Sequence, residues 1–352
     1  MKYIFWLSFS LSALGLWGCK ATPLPQPTPL PPTPSSTVRP ASLGIVGDST
    51  DVKTPVTGGL VLMGGGKDVE SAFKWMIQRS GGGNVVVIRV TGTNAYNPFI
   101  AGLGTVKSVE TLKIDTRDLA NNDTVARIIR NAEMLFIAGG DQSKYMNLWR
   151  GTKTQEAINY LLQTKKAPVG GTSAGCAIMG GFYYSGESGS SISTTALADP
   201  YHSTITLYNN DFVQAPFLRN IITDQHYLAR TREGRHVAFL ARIKKDWNVA
   251  AQGIAADERT AVCIDQQGMA QAFGSSKAYF LLPNDAKAPE LVEKGKPLLW
   301  KRNEQALAVY EITASDTGSG QFNVDTFHPS SAAGGKWYWW WVENGQLHKK
   351  DQ

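Results

Sequence analysis

The chain predicts an α/β fold of the doubly wound kind: a mostly parallel sheet with helices on both faces, and further strands added at its C-terminal end. Three observations predict it. From Gly59 onward, short continuous apolar runs alternate with amphipathic stretches of helical period, the pattern of strands covered on both faces. Glycine clusters, Gly64-Gly65-Gly66, Gly139-Gly140 and Gly170-Gly171, come where such runs end, at the strand edge where open parallel sheets bind ligands. One run leads into Gly171-Thr172-Ser173-Ala174-Gly175 and then a helical Ala/Ile/Met stretch, which reads as a strand-turn-helix elbow with Ser173 at its tip.

In chain order, Met1-Lys2 and an apolar run to Gly18 read as a signal peptide over residues 1–18, too short for a comfortable membrane span. Leu16-Trp17-Gly18-Cys19 resembles a bacterial lipobox, which would leave Cys19 as a lipidated N-terminus on an exported protein. Residues 19–56 read as a tether. Eight of the chain's 17 prolines fall between Ala21 and Pro40, and such a segment favours extended polyproline conformations. An α/β core is expected over 57–270, with a C-terminal extension over 271–352 that packs on it.

Within the core, Gly59–Met63, Asn84–Val90, Glu110–Asp115 and Met134–Ala138 read as strands, and the elbow strand starts at Ala167. Helices are expected over Val69–Arg79, Asp118–Asn131 and Ser143–Gln163. Beyond Val262, strands are expected within Gln271–Pro283 and Gln305–Thr313. Lys336-Trp337-Tyr338-Trp339-Trp340-Trp341-Val342 reads as an aromatic edge strand, whose default role is packing rather than binding.

Composition narrows the function classes. A net charge of +6 with 18% charged residues, and no basic stripe interleaved with aromatics, argues against nucleic acid. Of three cysteines, Cys19 belongs to the export signal. Cys176 and Cys263 are expected as buried free thiols, with a disulfide as the alternative. No Cys/His cluster has metal-ligand spacing, so neither metal nor cofactor is expected. Gly64-Gly65-Gly66-Lys67-Asp68 lacks the spacing of a phosphate-binding loop.

The elbow motif alone leaves a nucleophile and an ordinary turn serine equally open. A serine nucleophile needs a base, an orienting acid and donors for the oxyanion. The most distinctive histidine context is Asp224-Gln225-His226-Tyr227, followed by Arg230, Arg232 and Arg235. If helical, Arg230 shares a face with His226, and Arg232 with Arg235. Arginine captures carboxylates bidentately, so the segment reads as a base beside a site for a carboxylate-bearing substrate.

These blocks, with Phe136-Ile137-Ala138-Gly139-Gly140-Asp141-Gln142, resemble the signature blocks of cyanophycinase and of the serine peptidase family that also contains aspartyl dipeptidase. The resemblance covers roughly Thr57 to Val262. It implies a flavodoxin-like sheet of the class I glutamine amidotransferase type. It also implies Ser173 as nucleophile, His226 as base and Glu258 as acid, Asp257 being the alternative. Ala174 and Gly140 would supply the oxyanion hole; Gln142, Asp224, Gln225, Arg230, Arg232 and Arg235 would line the substrate pocket.

The expected activity is release of β-Asp-Arg dipeptides from cyanophycin, a poly-aspartate chain with arginine on each side-chain carboxyl. Asp224 and Glu187 are candidates to meet the arginine guanidinium. Two alternatives stand: a dipeptidase of the same family acting on small aspartyl peptides, and a surface lipoprotein that binds peptide or polymer without cutting it. The expected partners are an acidic peptide or the polymer, and a membrane through the lipid anchor; a homodimer is left open.

Overall fold

The computed structural model describes residues 39–284 and 288–352. The signal peptide, Cys19 and the proline-dense part of the tether lie outside the described residues. Among those described, no helix is long and apolar enough to cross a membrane.

Strands β1 (Ser42–Gly47), β2 (Gly59–Met63), β3 (Asn84–Arg89), β4 (Ser108–Lys113), β5 (Met134–Ile137) and β6 (Pro168–Thr172) come first in the chain. The next five strands are β7 (Phe182–Tyr184), β8 (Leu207–Asn209), β9 (Ile221–Gln225), β10 (Gln252–Ala256) and β11 (Thr260–Asp265). The last six are β12 (Met269–Gly274), β13 (Lys277–Pro283), β14 (Leu307–Thr313), β15 (Ser319–Asn323), β16 (Lys336–Glu343) and β17 (Gln346–Asp351). They form two sheets among the described residues, ordered β1-β4-β3-β5-β6-β2-β11-β12-β15 and β17-β16-β14-β13-β10-β9-β7-β8.

In the first sheet, β4, β3, β5, β6 and β2 run parallel. Antiparallel strands flank this block: β1 at one side, and β11, β12 and β15 at the other. Side chains alternate across it as the pleat demands. Val61, Met63, Val85, Val87 and Phe136 face one core, with Phe73, Met76 and Ile77 of α1 (Glu70–Arg79) and Ile100 of α2 (Tyr96–Ala101). Leu60, Leu62, Val86, Ile88, Leu135 and Ile137 face the other. There they meet Val125 and Ile129 of α4 (Asp123–Asn131), Trp149 of α5 (Gln142–Trp149) and Ile158 of α6 (Lys153–Tyr160). This is the doubly wound α/β arrangement.

The second sheet goes beyond the expected strand additions. Ile254, Ala256, Phe280 and Ile312 on its inner face join the same core as Leu60 and Leu62. Its outer face carries Ile222, Ala255, Leu281 and Val309. These pack with Val237 and Leu240 of α9 (Glu233–Trp247) and with Ala196 of α8 (Ser193–Ala198). The expected extension from residue 271 supplies strands to both sheets, because the β11–β12 hairpin crosses that boundary in the first sheet.

Three local readings change. Part of the expected tether is a strand: β1 pairs antiparallel with β4, and Arg39 pairs with Glu110. Its mixed, half-exposed residues and two glycines carry no apolar period, so only the pairing reveals it. The helix expected over Asp118–Asn131 is two helices, α3 (Arg117–Ala120) and α4; Asn122 caps the second by accepting from the Thr124 and Val125 N–H groups. The tryptophan-rich strand β16 is interior, between β14 and β17. Trp340 is fully buried and Trp337 packs against Tyr310.

Candidate active site

Ser173 follows β6 directly and precedes α7 (Ala174–Ala177). Its φ of 52° and ψ of −114° place a non-glycine residue in a sparsely populated region, a strain of about 1–3 kcal/mol that the surrounding packing must hold. Two glycines make the turn this tight. A Cβ on Gly171 would lie 2.5 Å from the Gly175 carbonyl carbon, and one on Gly175 would lie 2.2 Å from the Ile137 oxygen. The Ser173 N–H donates to the Met63 carbonyl at 3.0 Å, tying the tip to the end of β2.

His226 comes from the other sheet, one residue beyond β9. Its φ of 49° and its N–H bond to the Gly64 carbonyl (2.8 Å) turn the imidazole back toward the elbow. Nε2 lies 2.8 Å from Ser173 Oγ, and Nδ1 lies 2.7 Å from Glu258 Oε1. Glu258 stands in the short link that leaves β10 in the second sheet and enters β11 in the first. The serine, histidine and glutamate therefore meet where the two sheets meet.

The glycine triplet after β2 has a steric job here. A Cβ on Gly65 would sit 2.4 Å from His226 Cε1, and one on Gly66 would sit 3.0 Å from Glu258 Oε2. Asp257 faces elsewhere: Oδ1 accepts from the Leu228 and Ala229 N–H groups, each at 2.9 Å, and Oδ2 from Ser276 Oγ at 2.6 Å. It braces the turn that follows His226, and of the two neighbouring acids Glu258 is the one that touches the imidazole.

Burial lowers the His226 pKa below its usual value; the Glu258 hydrogen bond opposes this, and the Arg230 and Arg232 charges add to the lowering. The ring is therefore neutral near pH 7, with Nδ1–H donating to Glu258 and Nε2 open to accept from Ser173. Cys176, in α7, is a buried free thiol whose pKa is pushed well up by burial, the opposite of an activated nucleophile. Cys263 is likewise buried and free.

Gly139 borders Ser173: a Cβ there would lie 3.4 Å from Ser173 Cβ. Gly140 follows, held close to the Tyr145 hydroxyl, 2.6 Å from where its Cβ would be. Among the described residues, neither the Gly140 nor the Ala174 N–H donates to a backbone or side-chain acceptor. Gln142 opens α5, and its Nε2 would lie 3.0 Å from a Cβ on Gly186.

The three arginines divide the work that the sequence assigns to them jointly. Residues 223–232 are not helical; Asp224 and Gln225 end β9, and α9 starts at Glu233. Arg235 is 1% exposed, and all three guanidinium nitrogens are engaged. Nε donates to Asp224 Oδ2 at 2.8 Å, Nη2 to Asp224 Oδ1, and Nη1 to the Ser191 carbonyl at 3.1 Å. Burial raises the Asp224 pKa, but Arg235, with Arg232 and His236 behind it, more than offsets this and holds the carboxyl below its usual range.

Arg232 donates to the Gln225 carbonyl at 2.9 Å, and burial with the Arg235 charge brings its pKa down to about 10. The Gln225 amide fits between them, with nitrogen toward Asp224 Oδ1 and oxygen toward Arg232 Nη1, each at 3.2 Å. Asp224, Gln225, Arg232 and Arg235 thus form one buried network at the end of β9, next to His226. Arg230 is exposed, and among the described residues it forms no ion pair. The sequence could not reveal the Asp224–Arg235 pairing, because a contact eleven residues apart has no local periodicity.

Residues 60–272 match the family model described as "Peptidase family S51". Among curated proteins, the chain is 24% identical over 281 residues to the cyanophycinase of Geminocystis herdmanii, covering 76% of this chain and 95% of that one. It is 24% identical over 179 residues to the cyanophycinase of Trichormus variabilis, covering 51% of this chain and 55% of that one. Among solved structures, a peptidase from an acI-B1 Actinobacterium superposes with a TM-score of 0.48 at 16% identity, over 74% of this chain and 96% of that one. With the family match spanning more than half of its length, the chain belongs to peptidase family S51 and is a serine-type peptidase.

Proposed function

We propose that the protein is an exported, lipid-anchored exopeptidase of cyanophycinase type, which releases β-Asp-Arg dipeptides from cyanophycin through Ser173, His226 and Glu258. The observation that carries this is the unbroken hydrogen-bonded chain from Ser173 Oγ through His226 to Glu258, at 2.8 and 2.7 Å.

Nε2 of the neutral imidazole takes the Ser173 proton as Oγ attacks a peptide carbonyl, and Glu258 holds the ring in the required tautomer and stabilises the imidazolium. The Ala174 and Gly140 N–H groups receive the oxyanion. Loss of one such donor raises the barrier by about 2.7–4 kcal/mol. The proton on Nε2 then passes to the leaving amine, and water repeats the sequence on the acyl-enzyme. Every cyanophycin unit carries a carboxylate, which the exposed Arg230 guanidinium is suited to bind, with the buried network holding the turn behind it.

The test is mass spectrometry of products after the full chain is incubated with cyanophycin, beside Ser173→Ala. Release of β-Asp-Arg by the unmodified chain alone is the expected result. If neither releases it, the substrate assignment fails, and a panel of short aspartyl peptides then distinguishes a dipeptidase from a binder. Export and anchoring rest on residues 1–19. A lipid mass on the mature N-terminus that disappears in Cys19→Ala is the expected result for them.

A further inference from the structure

The chain from Ser185 to Ser191 lies between the Gln142 end of α5 and the buried arginine network. At one end, Gly186 packs against Gln142, which opens the helix after the Gly139-Gly140 loop beside Ser173. At the other, the Ser191 carbonyl accepts from Arg235 Nη1 at 3.1 Å. Tyr184 fixes the shape between them: its hydroxyl donates to the Gly189 carbonyl at 2.7 Å and accepts from the Ser191 N–H at 2.9 Å. The segment thus bridges the nucleophile side of the crevice and the buried arginine network.

Most acids in this neighbourhood are committed. Asp224 is paired with Arg235, Glu258 is bonded to His226, and Asp257 accepts three hydrogen bonds. Asp211 takes Arg150 at 2.8 Å and the Tyr183 hydroxyl at 2.6 Å. Asp141 caps α5 through Oδ1, accepting from the Ser143 N–H at 3.0 Å and its hydroxyl at 2.6 Å.

Glu187 differs. It is exposed, and among the described residues no cation pairs with it. Its contact is a neutral one, the Tyr208 hydroxyl, at 3.1 Å from Oε1 and 3.2 Å from Oε2. Tyr208 is itself fixed, stacked on Tyr183 at 5.4 Å with the Arg150 guanidinium 4.6 Å from its ring. One hydroxyl shared between two oxygens orients a carboxylate while leaving its charge and most of its lone pairs open.

We propose that Glu187, oriented by Tyr208, is a cation-recognition subsite that takes the positively charged side chain of the substrate residue beside the scissile bond. A guanidinium suits it better than an ammonium, because two parallel N–H donors match a carboxylate edge. With Arg230 facing the substrate carboxylate near His226, the crevice would read a zwitterionic unit by both its charges. The inference rests on the proposed function in taking the substrate to lie in the crevice at Ser173.

The experiment measures binding without turnover. In the full chain carrying Ser173→Ala, affinities for β-aspartyl-arginine and for its neutral counterpart β-aspartyl-citrulline are compared by calorimetry, then again with Glu187→Gln or Tyr208→Phe added. The arginine dipeptide should bind at least about tenfold more tightly, as expected for a charge-assisted pair. Glu187→Gln should bring the two affinities together, and Tyr208→Phe should fall between. A preference unchanged by Glu187→Gln, equal binding in the parent, or no binding of the arginine dipeptide would each overturn the subsite. Hydrolysis by the Ser173 form is scored separately. Glu187-dependent binding without release of product would leave the subsite standing and count against the proposed activity; release with an unchanged preference would do the reverse.

Discussion

Gly65 and His226 are in steric register: the space a methyl group would fill on the glycine is occupied by the imidazole, 2.4 Å from Cε1. The glycine also has φ +101°, where other residues are strained. Gly65→Ala should therefore push the ring away from Ser173 while leaving the distant cores intact. A displacement of about 1 Å at a reacting group lowers rate by about 10²-fold. We expect a loss of that order in kcat, checked by steady-state kinetics beside a thermal melt that shifts only a few degrees.

Glu258 and Asp257 are adjacent in sequence and separate in role. Glu258→Gln removes the charge that fixes the His226 tautomer and should lower kcat by about 10³–10⁴-fold with little change in stability. Asp257→Ala removes three hydrogen bonds and should cost about 1–3 kcal/mol of folding free energy in denaturant titration. Asp257→Asn keeps one acceptor and should retain most of that stability. Equal kinetic losses in Glu258→Gln and Asp257→Asn would contradict this division.

Since burial and the neighbouring arginines lower the His226 pKa, the base form should persist below the ordinary imidazole range. The acid limb of kcat/KM should then lie under about pH 6.5. Arg230→Gln removes a charge that depresses this pKa, so the limb should move to higher pH. A pH–rate profile of the two proteins checks the sign.

His236 gives a separate prediction about stability. It is fully buried in α9, with Nε2 at 3.2 Å from the Ile222 carbonyl and Nδ1 at 3.2 Å from the Tyr227 hydroxyl, and burial brings its pKa down to about 4. The unfolded chain protonates this histidine near pH 6.5 and the folded one only near 4, so protons favour unfolding across that window. Its contribution is intact above pH 6.5 and falls away by about 3 kcal/mol as the pH drops to 4. His236→Gln should flatten this part of the stability profile, measured by urea unfolding at several pH values.

Much of this was legible in the residues, for identifiable reasons. Parallel strands such as Asn84–Arg89 have an unbroken apolar centre, Val85 to Ile88, so they stand out without partners. The elbow declares itself through glycines that the backbone geometry requires. The second sheet is different: β7 and β8 are three residues each, and β9 ends in Asp224-Gln225, too short and polar for a period-two pattern. Which sheet a strand joins is set by pairing across the fold. The resemblance indicated three arginines for the substrate; the fold turns Arg235 inward against Asp224, a choice visible only once β9 and α9 lie side by side.

The division of the reacting groups between two sheets also bears on how the protein is made. Ser173 is synthesised 53 residues before His226 and 85 before Glu258, and β10 finds its neighbour β13 only later still. The three side chains can meet only once β6 of one sheet and β9 and β10 of the other have docked, so the hydrogen-bonded chain is a product of the assembled fold and not of any one stretch of sequence.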